Sequence, residues 1–349
     1  MYDVVIVGGG PAGLATAWSL CGLDRELQIL ILERFDADGY DRYHRMCGEG
    51  ISRKGLGTLN LGVDVRSRNR VRSVKEHWPG NIETEATVDG FILDRPGLLR
   101  SLRERLGDKV QILSEEVTKV QSTSIGFVIK CRSGGEHRCR IIIGADGAHS
   151  VVRRDLFGDR PPCSLKVEQY VLDERPEPDT LDLFYDERYH GKYRWRFPHG
   201  NMTKEGFPLG SYPPPDNALE KHARTIPIGP LPNIVKGNAC LIGDAACQAN
   251  PITFGGLSNA FVAARILADA IDSADLDRYQ ERWRSHPRSD PVFFQAFEIL
   301  RGADNGGLAQ ILSPLRYGAS PNLIMQGLMA DERFRTLYRS QMLKADLGW

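Results

Sequence analysis

A glycine-rich turn near the start of the chain has the residue types and spacing to bind phosphate. Gly8-Gly9-Gly10-Pro11-Ala12-Gly13 follows an apolar, β-branched run at 3–7 and precedes small and apolar residues at helical spacing over 14–20. Gly8 permits a tight turn, Gly10 lets the backbone approach a pyrophosphate, and Gly13 lets the helix pack close to the strand. The N-terminus of that helix would direct N–H groups and its positive dipole end at the phosphates.

An acidic residue follows at the distance typical of dinucleotide binding. A second apolar run, 28–32, ends at Glu33, twenty residues after Gly13. A carboxylate at this position accepts hydrogen bonds from the hydroxyls of an adenosine ribose and favours a ribose without phosphate. Because strand, turn, helix and acid occur in register, we favour a site for FAD or NAD, rather than NADP, over an ordinary structural turn.

Two later segments also place glycine and an acid after a predicted strand. Gly144-Ala145-Asp146-Gly147 follows the run 140–143, and Gly243-Asp244-Ala245-Ala246 follows the run 239–242. The third segment leads through 250–257 into a helix predicted over 258–271. A carboxylate at this edge of a sheet can accept a hydrogen bond from a ribityl hydroxyl. The N–H groups of a Gly-Gly helix start can point at N1 and O2 of a flavin ring.

Two further segments could belong to a reaction site. In an extended strand, Tyr193, Trp195 and Phe197 would point to one side, and Arg194 and Arg196 to the other. On composition alone, an ordinary aromatic core is the better interpretation of those rings. Cys47, in Met46-Cys47-Gly48-Glu49-Gly50, lies in a predicted loop whose glycines permit a close approach to a ligand, although a small buried packing residue is the simpler alternative.

Charge, cysteine content and the length of the apolar runs exclude several classes of protein. The chain has 349 residues, with 45 Lys and Arg against 45 Asp and Glu, so no global charge indicates a nucleic-acid partner. The seven cysteines are dispersed without a CxxC pair, which favours a cytoplasmic protein without disulfides and with no zinc or iron–sulfur site. No apolar run reaches the length of a membrane span.

The order of predicted elements indicates an α/β protein. We expect a Rossmann-like FAD-binding domain, a substrate domain with a mixed antiparallel sheet, and a C-terminal helical segment. The predicted FAD-binding domain comprises 1–75, 94–160 and 226–272. The substrate domain comprises 76–93 and 161–225, and the helical region 273–349. The apolar residues at 308–329 of that region are assigned to core packing.

Taken together, the three glycine-and-acid segments resemble, in chain order, the fingerprints of flavoproteins with the p-hydroxybenzoate hydroxylase fold. Within that superfamily the chain is similar to the geranylgeranyl reductase family. The similarity lies in Cys47-Gly48-Glu49-Gly50, in Leu93-Asp94-Arg95, in Tyr193-Arg194-Trp195-Arg196-Phe197-Pro198 and in Asn250-Pro251-Ile252-Thr253-Phe254-Gly255-Gly256. Aromatic hydroxylases usually have His where Cys247 stands. The chain departs from the family in its shorter C-terminal part, in the polar segment 199–204 and in the charges of Arg194 and Arg196.

The resemblance implies a flavoprotein of lipid metabolism that reduces double bonds of an isoprenoid chain or prenyl lipid. Reduced FAD would supply a hydride to one alkene carbon while the other is protonated. NAD(P)H or a ferredoxin-like protein would supply the electrons. The resemblance also allows a peripheral contact with a membrane. The implied catalytic residues are Cys47, Tyr193, Trp195 and Phe197, with Cys47, Tyr193 or water as proton donor. The implied FAD contacts are Gly8, Gly10, Ala12, Gly13, Glu33, Arg34, Met46, Cys47, Arg95, Val117, Asp146, Asp244, Gly255, Gly256 and Leu257.

Two other functions stay open from the sequence. One is an FAD-dependent monooxygenase acting on an aromatic or polyketide-like substrate. The other is a flavin electron carrier whose partner is another protein.

Overall fold

The computed structural model describes residues 1–58, 65–316 and 320–348, and two β-sheets organise them. Parts of the predicted ranges 1–75 and 273–349 therefore lie outside the described residues. The strands of the first sheet are β1 (Tyr2–Val7), β2 (Ile29–Glu33), β6 (Val110–Ser114), β7 (Val117–Thr123), β8 (Gly126–Cys131), β9 (Glu136–Gly144), β15 (Val235–Lys236) and β16 (Ala239–Leu241). The strands of the second are β3 (Gly50–Ser52), β4 (Ser67–Trp78), β5 (Ile82–Leu93), β10 (Cys163–Leu172), β11 (Thr180–Phe184), β12 (Arg194–His199), β13 (Met202–Pro208) and β14 (Ala218–Ile228).

The first sheet is parallel at its centre, in the order β15-β16-β9-β1-β2-β6. The side chains of Val4, Val5 and Ile6 in β1 are fully buried, as expected for a strand covered on both faces. The register brings the ends of neighbouring strands level. Val7 pairs with Leu32 in β2, and the last residue of β9 pairs with the last residues of β1 and β16. The three glycine-and-acid segments therefore start at one edge of this sheet.

The second sheet has the order β14-β10-β13-β12-β11-β4-β5-β3, antiparallel except for the parallel pair β11 and β4. It confirms the predicted mixed sheet. It also includes β3 and the first part of β4, which lie inside the range 1–75 that the sequence analysis gave to the FAD-binding domain. Long-range pairing, rather than a local break in the sequence, decides which sheet a strand joins.

Helices cover both sheets. They are α1 (Pro11–Cys21), α2 (Ala37–His44), α3 (Arg53–Gly57), α4 (Arg95–Leu106), α5 (Leu257–Asp272), α6 (Asp277–Arg284), α7 (Val292–Gly302), α8 (Asn305–Ile311), α9 (Pro321–Ala330) and α10 (Glu332–Leu347). Helices α1, α4, α5 and α6 pack into the core of the first sheet. Helices α7, α8 and α10 pack into a second core against Val74, Trp78 and Trp195 of the second sheet.

The apolar residues of the C-terminal region divide between core and surface. Leu308 and Ile311 are buried, which agrees with the predicted packing role. Leu323, Met325 and Met329 of α9 are exposed, and the packing interpretation is wrong for these three. Because α9 is apolar on nearly every side, it cannot bury all of its apolar side chains against a single neighbouring core.

Candidate functional site

A cavity of ≈ 470 Å³ is lined by residues of both sheets. It brings together residues that are distant along the chain, from the glycine-rich turn to the start of α5. The sequence-predicted residues that line it are Gly8, Gly10, Ala12, Glu33, Arg34, Met46, Cys47, Arg95, Val117, Asp146, Tyr193, Trp195, Phe197, Asp244, Gly255, Gly256 and Leu257.

Gly13 is the exception, and its contact with FAD stays a prediction. It does not line the cavity. A Cβ atom on Gly13 would lie 2.0 Å from the carbonyl oxygen of Gly8, so this glycine is needed for the close packing of α1 on β1. Gly13 therefore acts on the fold, while Gly8 and Gly10 shape the wall of the cavity.

The glycine-rich turn forms one end of the cavity. Gly8 has φ +102°, and a Cβ atom there would lie 2.4 Å from the carbonyl oxygen of Ala145. Gly10 precedes α1 and gives it no side-chain cap. A Cβ atom on Gly10 would have His44 as its nearest neighbour, at 3.4 Å. The first N–H groups of α1 are thus open to a ligand oxygen.

Glu33 is buried and held by two backbone donors. Gly9 N–H donates to Oε2 at 2.7 Å, and Phe35 N–H donates to Oε1 at 3.0 Å. Each carboxylate oxygen keeps a further lone pair. The side chain is therefore fixed beside the cavity and can still accept hydrogen bonds from hydroxyl groups.

Arg153, which the sequence analysis passed over, ties the second glycine-and-acid segment to the third. Its guanidinium donates to the carbonyl oxygens of Ala245 at 2.8 Å and Ala148 at 2.6 Å. Asp146 accepts from Val151 N–H at 2.6 Å, and burial raises the pKa of its carboxyl group. One buried arginine thereby fixes two turns that are distant along the chain.

Two cationic side chains lie close to the carboxyl group of Asp244. Arg95 Nε donates to the carbonyl oxygen of His44 at 2.8 Å, and Arg224, also missed from the sequence, donates to that of Met46 at 3.2 Å. Burial raises the pKa of Asp244, while Arg224 and Arg95 oppose that shift. Burial likewise lowers the pKa of His44 to about 2, so its imidazole is neutral.

Buried polar atoms without partners provide a test of whether a dinucleotide fits. Among the described residues, Arg95 Nη2, His44 Nδ1 and Asp146 Oδ1 have no hydrogen-bond partner although they are buried. A ligand with phosphate, ribose and ring heteroatoms would supply partners to such atoms. The donor set, the two glycines and Glu33 are consistent with FAD.

Lys204 lies behind the loop that carries Cys47. Its side chain is 1% exposed, and Nζ lies 2.6 Å from Glu49 Oε2, 2.9 Å from the carbonyl oxygen of Cys47 and 3.1 Å from that of Arg45. Burial lowers the pKa of Lys204, and the Glu49 carboxylate opposes that shift. The sequence shows that 199–204 is polar, but it does not predict that Lys204 pairs with Glu49.

The aromatic side chains lie close to the same loop. A Cβ atom on Gly48 would lie 2.8 Å from Phe197, and one on Gly206 would lie 2.0 Å from the indole of Trp195. Arg194 points to the other face of the sheet, where it pairs with Glu205 at 2.9 Å. The extra charge in this motif is thus neutralised outside the cavity.

Tyr193 connects the aromatic wall to the loop before α5. Its hydroxyl donates to the carbonyl oxygen of Thr253 at 2.6 Å, and burial raises its pKa. Its ring stacks on Phe254 at 5.2 Å between ring centres, and Phe254 has φ +55°. Asn250 Oδ1 accepts from Ile252 N–H at 2.9 Å and closes the turn. These contacts fix the approach to Gly255 and Gly256.

A separate group of side chains lies at strands β8 and β9 and just before β7. Glu115, Cys131 and His137 bring three possible metal ligands within 4.8 Å of one another, although no metal site was expected from the sequence. His137 Nε2 lies 2.8 Å from Glu115 Oε2. Hydrogen bonds from Cys131 and His137 lower the pKa of Glu115. Cys131 and His137 thus both hydrogen-bond to Glu115.

Two curated relatives are similar in sequence to this chain over most of its length. Digeranylgeranylglycerophospholipid reductase 2 of Methanopyrus kandleri is 30% identical over 331 residues, covering 81% of this chain and 82% of that protein. The chain belongs to the geranylgeranyl reductase family of FAD-dependent oxidoreductases. Within this family, digeranylgeranylglycerophospholipid reductase 1 of the same organism is 28% identical over 397 residues, covering 100% of this chain and 99% of that protein. No protein-family model matches the chain.

Solved structures agree on the fold of this geranylgeranyl reductase family member. A geranylgeranyl bacteriochlorophyll reductase-like protein from Thermoplasma acidophilum superposes with a TM-score of 0.76 at 20% identity, covering 99% of both chains. HpxO of Klebsiella pneumoniae, solved with FAD and uric acid, has a TM-score of 0.67 at 18% identity, covering 96% of this chain and 97% of that one.

Family membership confirms two predictions from the sequence, an FAD-dependent oxidoreductase and FAD as its cofactor. Among the helices that the structure describes, none is both long enough and apolar enough to cross a membrane.

Proposed function

We propose that this protein saturates carbon–carbon double bonds in the isoprenoid chain of a prenyl lipid. The observation that supports the proposal most is the aromatic wall of Trp195 and Phe197, which lines the same cavity as the glycine-rich turn and Asp244. The relatives are named digeranylgeranylglycerophospholipid reductases, and that name gives geranylgeranyl chains on a glycerophospholipid as the substrate class.

FAD would be held by all three glycine-and-acid segments. Glu33 would accept hydrogen bonds from ribose hydroxyls, and the N–H groups that follow Gly10 would donate to the pyrophosphate. Asp244 would accept from a ribityl hydroxyl, and the N–H groups at Gly256 and Leu257 would face the pyrimidine edge of the flavin. When bound and reduced, FAD supplies a hydride to one alkene carbon while a proton adds to the other, which saturates the bond.

The aromatic side chains would stabilise charge during this reaction. An isolated alkene accepts a hydride poorly, so cationic character must develop at its more substituted carbon. The ring faces of Trp195 and Phe197 would stabilise that charge by about 1 to 2 kcal/mol for each well-placed, desolvated ring. Trp195 is buried and Phe197 is partly buried, so both rings would help to keep water away from the reacting carbon.

Cys47 is the better side-chain candidate for the proton donor. The hydroxyl proton of Tyr193 is committed to the carbonyl oxygen of Thr253, and burial raises the pKa of that hydroxyl. Cys47 lines the cavity and is half-buried. We therefore assign the proton to Cys47 or to a water molecule beside it.

The electrons would come from a donor that docks transiently. The sequence has one glycine-rich unit of the dinucleotide type, which the proposal gives to FAD. NAD(P)H or a reduced ferredoxin-like protein would therefore supply two electrons for each double bond without a dinucleotide domain of its own.

The α9 surface, defined as Leu323, Met325 and Met329, would contact the lipid bilayer that holds the substrate. These side chains are exposed, and the basic residues Arg316 and Arg335 flank the helix. Apolar side chains with flanking arginines suit a membrane with anionic headgroups. Helix α10, which follows α9, also lines the cavity through Lys344 and Leu347.

Product analysis tests the proposed function. The holoenzyme is supplied with a reductant and a geranylgeranyl glycerophospholipid, and the product mass is measured. A gain of two hydrogen atoms per reduced bond supports the proposal. A gain of oxygen indicates a monooxygenase, and electron transfer to a protein acceptor with the lipid unchanged indicates a carrier; either result contradicts it.

A further inference from the structure

A row of residues crosses the cavity face of the second sheet. Gln169 in β10 pairs with Gly206 in β13 and with His222 in β14, and Gly206 pairs with Trp195 in β12. Directly paired residues of antiparallel strands point to the same face. Gln169, Trp195 and His222 all line the cavity.

Two polar groups in this row lack partners. Gln169 is 4% exposed, and neither atom of its amide has a hydrogen-bond partner among the described residues. The indole N–H of Trp195, 8% exposed, is likewise unpartnered within the described part of the chain. A buried amide without partners costs stability, so its presence here indicates a ligand that supplies them.

Three other polar side chains of this sheet already have hydrogen-bond or ion-pair partners. His222 Nε2 lies 3.1 Å from Glu220, and Arg224 donates to the carbonyl oxygens of Met46 and Tyr43. Lys204 is bound to Glu49. The wall therefore offers an uncharged donor and acceptor at Gln169 and an uncharged donor at Trp195.

Gly206 connects the two groups. Because it has no side chain, the indole of Trp195 lies directly against it, and a Cβ atom there would fall 2.0 Å from the ring. Gln169 pairs with the other side of Gly206. A ligand chain lying on the indole can therefore bring a polar end group to the amide.

We propose that Gln169 and Trp195 form a polar subsite that binds a hydroxyl group at the end of the prenyl substrate. The inference rests on the proposed function and narrows its substrate class to prenyl lipids that carry a free hydroxyl group at the polar end. A hydroxyl both donates and accepts, as the amide requires, whereas a hydrocarbon chain leaves both amide atoms unpaired. The flavin pyrimidine edge has the same hydrogen-bonding chemistry, but the proposed function assigns it to Gly256 and Leu257 at the start of α5 rather than to this sheet.

Binding to the oxidised holoenzyme tests the subsite without turnover. The probes are geranylgeraniol and the hydrocarbon of the same chain without the hydroxyl, both titrated calorimetrically. In Gln169→Leu, affinity for the alcohol should fall about tenfold, equivalent to about 1.4 kcal/mol, while affinity for the hydrocarbon stays unchanged. The melting temperature should stay the same or rise, since an unpaired buried amide has been removed.

Two further variants sharpen the test. Gln169→Met keeps the length of the side chain without the amide and should reproduce the loss if Gln169→Leu fails to fold. Gln121→Leu changes an exposed glutamine in β7 and should leave both affinities unchanged.

Two results would overturn the subsite. An altered flavin absorption spectrum or flavin affinity, with the alcohol-to-hydrocarbon ratio unchanged, would assign the amide to the cofactor. Unchanged affinity for both probes, with an unchanged flavin spectrum, would leave the amide without a ligand. A holoenzyme that binds the alcohol through Gln169 but never reduces it would contradict the proposed function alone.

Discussion

The ammonium of Lys204 lies 2.6 Å from the carboxylate of Glu49, and both side chains are almost completely buried. This pair joins β13 of the second sheet to the loop of Cys47. Lys204 is buried and bonded to one carboxylate and two carbonyl oxygens. It therefore fixes the position of that loop relative to the aromatic side chains.

Removing one partner of this pair should destabilise the protein. Lys204→Met leaves Glu49 buried without its cation, and we expect the free energy of unfolding to fall by about 3 to 5 kcal/mol. Urea denaturation of the apoprotein measures it. The double variant Lys204→Met with Glu49→Leu should recover part of the loss, because no unpaired charge remains. A single variant as stable as the parent would contradict the assigned role.

Stability should fall as pH falls. Burial, with nearby cationic groups, lowers the pKa of His44 to about 2 and that of His199 to about 3. In the unfolded chain both titrate near about 6.5. Below that pH the unfolded chain binds protons that the folded protein does not, so each histidine removes about 1.4 kcal/mol per pH unit until its folded pKa is reached.

Urea denaturation at about pH 7 and about pH 5 measures this dependence. His199→Asn should flatten the slope by about one proton equivalent. His190→Asn is the control, because His190 is exposed and asparagine tolerates its φ of 48°. The same pH slope in the parent and in His199→Asn would show that the imidazole is not buried as described.

The two glycines Gly10 and Gly13 should respond differently to alanine. Gly10→Ala adds a methyl group to the cavity wall with no contact under 3.4 Å, so flavin affinity should fall while the apoprotein keeps nearly all of its stability. Gly13→Ala places Cβ 2.0 Å from Gly8 O and should destabilise the apoprotein itself. Flavin titration and thermal unfolding of each apoprotein separate the two effects. Equal losses of stability would contradict the division of roles.

The aromatic wall should affect rate more than flavin content. Trp195→Ala removes one ring face, and we expect alkene reduction to slow roughly 5- to 30-fold, corresponding to about 1 to 2 kcal/mol. The flavin content of the purified protein should stay near that of the parent. Phe207→Ala, on the opposite face of the same sheet, controls for loss of core packing. Loss of flavin from Trp195→Ala alone would mean that the ring is structural.

The α9 surface gives a prediction that is independent of catalysis. Met325→Glu with Met329→Glu should reduce co-sedimentation with vesicles of anionic phospholipid, because two carboxylates replace exposed apolar side chains. The visible spectrum of the bound flavin should not change. Gln121→Glu, on the exposed part of β7, should leave vesicle binding as in the parent. Undiminished binding in the double variant would exclude α9 as the contact.

The sequence predicts the convergence of Gly8, Glu33, Asp146 and Asp244 because each follows a strand, and neighbouring parallel strands end at one edge. It does not predict Lys204 beside Glu49, Arg153 beside Ala245, or Gln169 beside Trp195. Those contacts depend on the register of strands that are distant in sequence. The assignment of Leu323 and Met325 to the core failed for a related reason, since hydrophobicity alone does not say whether a helix has a neighbour on every side.

The central claim is that electrons pass from reduced flavin to an isoprenoid double bond in this cavity. The most direct measurement is anaerobic photoreduction of the holoenzyme, followed by a geranylgeranyl lipid, with the flavin absorbance recorded. We predict reoxidation of the flavin by the lipid without oxygen, with one double bond reduced for each flavin reoxidised. Flavin that stays reduced until oxygen and an aromatic compound are admitted would contradict the account.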